Sequence, residues 1–485
     1  MPKPVPNTQT GSLTDHQRGT NDELAGQAGA ANSLFGDAYR MYEFSRGGND
    51  LLIGGNDALN QFRGDAHLMF DRTRGGNDTL IGGSGSINIF YADADSMYDH
   101  ARGGNDTLIG GEQATNYLHG DAYIMADDTR GGNDRLIGGG SGTTTNVLVG
   151  DAALTMSGHA RGGNDWITGK SAQDFSVNTI YGDAYLMFDD TRGGADKLAG
   201  NGFFNRAFGE AQSMVGHARG GNDIVATSFG HQNELYGDAY TMFDSAVGGN
   251  DQVGGQGFRN KFSGDAYQMS GNTRGGNDVV FGGLNAEENA LVGDANYMSD
   301  NARGGNDKLI GGAEDANGFF LFNTMYGDAL EMSGNTRGGN DTLIGGNGNV
   351  RFPINTMYGD ASSMSGNARA GNDELISGNS NDVMWGDARL IDGLVASPSV
   401  PVGNVRTGAD TFVFGRNNGN DTINDFRQSD HDRIDVSAYG FHSLADMMLT
   451  AIGSNTKIEF DANNSVTLVG IGDPGVLRTS DFIFA

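Results

Sequence analysis

The sequence predicts an all-β fold: a parallel β-solenoid of about 13 coils of roughly 28 residues each, with a small β-rich C-terminal cap. Three observations predict it. Glycine supplies 81 of the 485 residues, spread along almost the whole chain and accompanied by only seven prolines, which suits a regular turn residue better than collagen or a linker. A block of the form Arg-Gly-Gly-Asn-Asp-x-Leu-x-Gly-Gly recurs from end to end. A second block, Gly-Asp-Ala-x-x-Met, alternates with it.

The first block places aspartates at Asp22, Asp50, Asp78, Asp106, Asp134, Asp165, Asp196, Asp223, Asp251, Asp278, Asp307, Asp341 and Asp373, with a late copy at Asp410. The first five intervals are 28, 28, 28, 28 and 31 residues. The second block contributes Asp37, Asp65, Asp93, Asp121, Asp151, Asp183, Glu210, Asp238, Asp265, Asp294, Asp328, Asp360 and Asp387. From each of these to the next first-block aspartate is 13 residues, except 14 at Asp151 and 23 at Asp387. The opposite leg varies between 14 and 21 residues, so insertions are confined to one edge of the repeat.

A unit this short cannot bury a core alone, and stacking is what gives it one. Short apolar segments such as Thr107-Leu108-Ile109 and Thr324-Met325-Tyr326 have period-2 character and glycine boundaries, and read as strands. Stacked about 4.8 Å apart, they present inward ladders of Leu/Ile/Val, Met and Ala. The Met ladder runs through Met41, Met69, Met97, Met125, Met187, Met214, Met242, Met269, Met298, Met332 and Met364, and reads as core rather than as a soft-metal site. The third side, with Ala at +1 and Met at +4 from the aspartate, fits a helical turn as well as a bulged strand. The architecture assigns it as β.

The balance of 61 acidic and 31 basic residues gives a net charge of −30, which turns the chain away from nucleic acid and anionic lipid and toward cations or basic surfaces. With no cysteine, disulfides and thiolate metal sites are excluded. Residues 1–20 hold no apolar run like a signal peptide, and no stretch approaches the roughly 20 apolar residues of a membrane span. The domain organisation expected is a polar tail over 1–17, the solenoid over 18–389, a loop over 390–405 containing Ser397-Pro398-Ser399-Val400-Pro401, and the cap over 406–485.

Stacking sets each aspartate over its equivalent. Two carboxylates about 5 Å apart repel by roughly 3 kcal/mol at an effective dielectric near 20. Summed along a row, that exceeds the typical stability of about 5–15 kcal/mol, so a countercharge is required. Calcium suits it, since it takes six to eight oxygens and mixes carboxylates with backbone carbonyls, whereas magnesium keeps its water. Glycine turns with positive φ, and Asn before Asp tolerating left-handed geometry, are expected to bring the loops together. Arginine four residues before the aspartate, from Arg18, Arg46 and Arg74 to Arg337 and Arg369, offers a metal-free alternative. The first row, with Asp421 added from the cap, is the expected calcium row. In the second row the acids either bind metal or bond turn N–H groups or the arginines.

These blocks resemble the RTX, or haemolysin-type, calcium-binding repeats, whose pattern is Gly-Gly-x-Gly-x-Asp-x-Leu-x. Gly76-Asn77-Asp78-Thr79-Leu80-Ile81-Gly82-Gly83 matches its second half and the start of the next unit. The next unit replaces Asp by Asn, as at Asn60, Asn146, Asn178 and Asn323, so a coil near 28 residues with its best metal row on one edge is expected in place of the family's 18-residue coil. Thr407-Gly408-Ala409-Asp410-Thr411-Phe412-Val413-Phe414, Gly419-Asn420-Asp421-Thr422-Ile423-Asn424-Asp425-Phe426, Asp432-Arg433-Ile434-Asp435-Val436, Ser465-Val466-Thr467-Leu468-Val469-Gly470 and Asp481-Phe482-Ile483-Phe484-Ala485 are similar to the family's C-terminal segment. Ser429-Asp430-His431 departs from it where a glycine is usual.

The resemblance implies several calcium ions as cofactors and export by type I secretion machinery. It also implies folding on extracellular calcium, outside or at the surface of a Gram-negative bacterium. Nine histidines include no His-Glu-x-x-His pair, and the repeats leave no room for a catalytic domain before them. A structural, matrix or adhesive protein without catalysis is therefore expected, with self-association or a cell-surface glycan as further partners. The alternative is a carbohydrate-active solenoid using acid pairs. The clusters Phe203-Phe204 and Phe319-Phe320-Leu321-Phe322 read as packing over insertions.

Overall fold

The computed structural model describes residues 11–170, 175–284, 286–313, 321–348, 353–398 and 402–485. The first ten residues of the polar tail, Phe319, Phe320 and residues 399–401 of the loop lie outside the described residues. The chain is an all-β parallel solenoid of about 13 turns of about 28 residues, with an antiparallel strand region toward the C-terminus. It divides into two compact units, one ending at Gly249 and one starting at Asn250.

In the first unit a coil has three strands, such as Thr79–Ile81, Ile87–Tyr91 and Ala94–Met97. Period-2 patterning decides which side chains turn inward. Leu80 stacks between Leu52 and Leu108, Phe90 between Phe62 and Leu118, and Met97 between Met69 and Met125, all fully buried. Strand pairs with the next coil are parallel and residue for residue. The third side is a strand in every described coil, beginning with the Ala that follows the second-block acid and ending on the Met, or on Ile391 in the last. One coil bulges: Ala152–Met156 carries an extra residue and still sets Met156 on Met125. Spacing alone hides Met156 from the Met ladder. The tail is not wholly apart, because Ser12–Leu13 pairs with the first third-side strand through Arg40 and Met41.

The second unit repeats the plan, for example with Val279–Phe281, Glu288–Val292 and Ala295–Met298. Its stacking runs past the last repeat, where Thr411–Val413 pairs in parallel with Glu374–Ile376 and with Arg433–Asp435. Leu394–Val395 turns back antiparallel on Ala388–Ile391. Met448–Ile452, Asn455–Glu459 and Ser465–Leu468 form an antiparallel meander whose last strand also lies parallel to Asn420–Ile423.

The expected left-handed backbone at the Gly-Gly-Asn turn is not found. Positive φ falls elsewhere, at the bend after the Met (Asp71, Asp99, Asp127, Gly158, Asp189, Gly216) and at the variable corner (Asp57, Gly85, Gln113, Gly142). The repeat glycines serve close approach instead. A Cβ on Gly104 would stand 1.6 Å from the Gly76 carbonyl oxygen, so the coils could not stack at that distance with any other residue.

Candidate functional site

Both acid rows point inward along one corner and are buried, from Asp50 and Asp65 onward. In the first row each aspartate N–H donates to the carboxylate of the next coil. Asp50 N reaches Asp78 Oδ1 at 2.7 Å, Asp106 N reaches Asp134 Oδ1 at 2.7 Å, and the pattern continues to Asp223. The second unit runs from Asp251 N to Asp278 Oδ1 at 2.6 Å through Asp307, Asp341 and Asp373 to Asp410. Asp22, at the start, is half-buried.

The second row accepts hydrogen bonds from the middle glycine of the turn. Gly76 N donates to Asp65 Oδ2 at 2.9 Å, Gly104 N to Asp93 and Gly132 N to Asp121. Asp37, Asp151, Asp183 and Asp238 repeat the bond in the first unit, and Asp265, Asp294, Asp328, Asp360 and Asp387 in the second. Of the alternatives open for this row, the turn N–H bonds are thus present.

The arginines do not supply the countercharge. Arg18 through Arg219 are exposed, and the ion pairs of arginine are Arg63–Asp95, Arg206–Glu234, Arg259–Glu287 and Arg427 with Asp387 and Asp430. Among the described residues no arginine of the repeat reaches either row.

Along the repeats, burial and like charge are therefore opposed by hydrogen bonds alone. Burial raises the Asp50 carboxyl to about 8, and raises Asp78 well above the carboxylate range with added repulsion from Asp65, Asp106 and Asp50. Asp183 is pushed to about 7 and Asp328 to about 6, each by burial against the pull of its hydrogen bonds. Among the described residues, first-row carboxylate oxygens have no hydrogen-bond partner at Oδ2 of Asp50, Asp78, Asp106, Asp134, Asp165 and Asp196, and of Asp278, Asp307, Asp341, Asp373 and Asp410; in the second row the same holds for Asp37 Oδ1 and for Oδ2 of Asp294, Asp328 and Asp360. A Cβ on Gly64 would stand 1.8 Å from the Ala92 carbonyl oxygen and 2.0 Å from Asp78 Oδ2, so these two oxygens flank the bare Cα. The same pair recurs at Gly150, with the Gly182 carbonyl and Asp165 Oδ2.

The donor set is all oxygen, which suits a hard cation such as calcium. Among the described residues no three His, Asp or Glu side chains converge as a metal site, so any cation there draws part of its shell from main-chain carbonyls.

A third column is formed by residues whose sequence pattern shows only aspartate replaced by asparagine. The asparagines of the coils' second strands, such as Asn60, Asn88 and Asn116, are buried and stacked. Asn60 Nδ2 donates to Asn88 Oδ1 at 2.8 Å, Asn88 to Asn116 at 2.9 Å and Asn116 to Asn146 at 2.9 Å. Each also clamps its own coil, as when Asn116 Oδ1 accepts from Gly111 N and its Nδ2 donates to Gly111 O. The second unit runs the same ladder from Asn260 through Asn289, Asn323 and Asn355 to Asp382.

Asp421, grouped by sequence with the first acid row, belongs to this column, where its Oδ1 accepts from Asp382 N at 2.9 Å. Both acid rows instead gain members from the cap. Asp410 N donates to Asp432 Oδ1 at 3.1 Å, and Gly386 N to Asp425 Oδ1 at 2.8 Å. Neither follows a repeat block; parallel stacking of Arg433–Asp435 on Thr411–Val413 is the only signal for Asp432. Against known proteins, the chain matches no family model and no curated protein. Among the described residues no helix is long and apolar enough to cross a membrane.

Proposed function

We propose that the chain is an RTX-like, calcium-loaded solenoid that is exported by type I secretion, folds outside the cell and serves a structural, matrix or adhesive role at or near the cell surface. One observation carries the reading: a carboxylate oxygen in coil after coil is buried without a hydrogen-bond partner, beside the same glycine as a main-chain carbonyl oxygen. A proton or a cation must answer that charge at neutral pH. Calcium does so with oxygen ligands alone, held by the first row with carbonyls such as those of Ala92 and Gly182, and the second row lies close enough to share its charge. Cytosolic calcium is scarce and extracellular calcium abundant, so binding free energy becomes folding free energy after export. The row acids are committed to main-chain N–H groups and to one another, which supports a scaffold rather than an enzyme.

The test is circular dichroism of the purified chain during a calcium titration, with magnesium as control, and metal counting on the folded protein. Cooperative β-structure appearing with calcium, with several ions bound per chain, is the expected outcome. A chain equally folded and heat-resistant at neutral pH in chelator, with no bound metal, rules the proposal out.

A further inference from the structure

The arginines ahead of the Gly-Gly turns form a ladder of their own, which in the first unit runs from Arg18 to Arg219 and gives way to Val247. One-residue parallel bridges set Arg46 on Arg74, Arg74 on Arg102, Arg102 on Arg130 and Arg130 on Arg161. All are exposed, and among the described residues none has an acidic partner within ion-pair distance. The Arg102 pKa is lowered by partial burial and by the charges of Arg130 and Arg74, its neighbours in the ladder.

Grooves run along the ladder. One of about 550 Å³ is lined by Arg46, Arg72, Arg74, Arg102 and His100 with Phe44. It shares Arg102 and His100 with a second of about 410 Å³, whose further walls are Arg130, Arg161, His159 and Asp128. On the other flank a groove of about 340 Å³ sets Arg18, Arg46 and Arg74 beside Asn49, Asn77 and Asn105. The bend carboxylates of Asp71, Asp99 and Asp127 do not line these walls. They accept the main-chain N–H of Glu43, Asp71 and Asp99 at 3.0, 3.3 and 3.3 Å. A chain of net charge −30 thus carries an unpaired basic stripe.

We propose that this stripe binds a linear carboxylated polysaccharide of the polyuronate class, laid along the stacking direction with about one carboxylate per coil. Strands stack about 4.8 Å apart, close to the advance of one sugar residue in an extended uronan. Guanidinium forks match carboxylates, and the asparagine amides beside them donate to sugar hydroxyls. Weak contacts repeated coil after coil add up once the first is made. Single-stranded nucleic acid fits less well, because its sequence-independent sites stack successive bases on aromatic rings, and the rings of the walls, His16, Phe44, His100 and His159, are interrupted by Arg72 and Asp128. The proposal supplies the partner for the adhesive reading above and rests on it.

The test uses the full chain, its folding verified by circular dichroism, with polygalacturonate oligomers as probe. A neutral dextran and a single-stranded oligonucleotide of matched length serve as controls. Saturable, salt-weakened binding of polygalacturonate is expected, with no binding of dextran. The combined variant Arg74→Gln, Arg102→Gln and Arg130→Gln is expected to lose at least about tenfold in affinity with its calcium-dependent folding unchanged. Should that variant fail to fold, Arg102→Gln alone is expected to lose about threefold. No binding, binding indifferent to these substitutions, or equal affinity for the oligonucleotide overturns the proposal. Binding that needs the arginines in a chain indifferent to calcium keeps the groove and removes the calcium reading.

Discussion

The asparagine column and the aspartate rows are built by the same stacking rule, yet only one of them is complete. Asn116 gives two hydrogen bonds and receives two, from its own coil and from its neighbours, without carrying charge. Asp106 accepts one from Asp78 N, and its other oxygen has no hydrogen-bond partner. A carboxamide is donor and acceptor at once and repeats along a column indefinitely; a carboxylate only accepts, so its row needs something else between the coils. The comparison teaches where the fold depends on its surroundings. The amides of the column are independent of pH and ions, and the acid rows are not.

The largest expected effect breaks the rows and spares the column. Removing calcium at pH 8 is expected to abolish the cooperative melt, whereas the chelated chain at pH 5 keeps it. The sign follows from the raised acids. Asp50 and Asp183 rise from 3.8 to about 8 and about 7, so the folded chain binds protons more tightly than the unfolded one. That contribution is full below the unfolded value and is lost as pH rises through about 6 to 8. Thermal melts in chelator from pH 5 to pH 9 check it, and a melting temperature that climbs with pH contradicts it.

The next largest breaks the column. Asn116→Asp removes two donors, strands Gly111 O and Asn146 Oδ1, and buries a charge. A loss of about 3–5 kcal/mol is expected, read by denaturant unfolding in saturating calcium. Asp106→Asn sharpens the contrast because its sign depends on conditions. In chelator at pH 8 it removes a buried like charge and is expected to stabilise by about 1–3 kcal/mol. In calcium it is expected to weaken binding and lower the ion count. The smallest effect is at Asp421, where Asn restores the amide to a column that ends in two acids. A gain of about 0.5–1.5 kcal/mol in chelator is expected, with no change in the calcium count.

The period, the three strands and both acid rows are legible in the sequence, because stacked coils must repeat the same residue at the same corner. The amide column is not, since Asn60 or Asn146 is read as an aspartate lost rather than as a group better suited to repeating alone. Asp425 and Asp432 are hidden for another reason: beyond Asp387 the spacing jumps and no block announces them, so only strand pairing aligns them. Residue type points to positive φ at Gly-Gly-Asn, while the left-handed backbone lies at Asp71 and Asp99 after the Met.

Register survives where length does not. Successive asparagines of the amide column are 27 residues apart between Asn178 and Asn205 and 34 apart between Asn289 and Asn323, with the same bond at 2.9 Å. The extra residues fall, in sequence, between the first strand of the coil and the second. At that corner, evolution or an engineer can splice in a peptide, an epitope or a binding loop without retiming any other column, so the molecule works as a ruler whose marks stay fixed while attachments are exchanged.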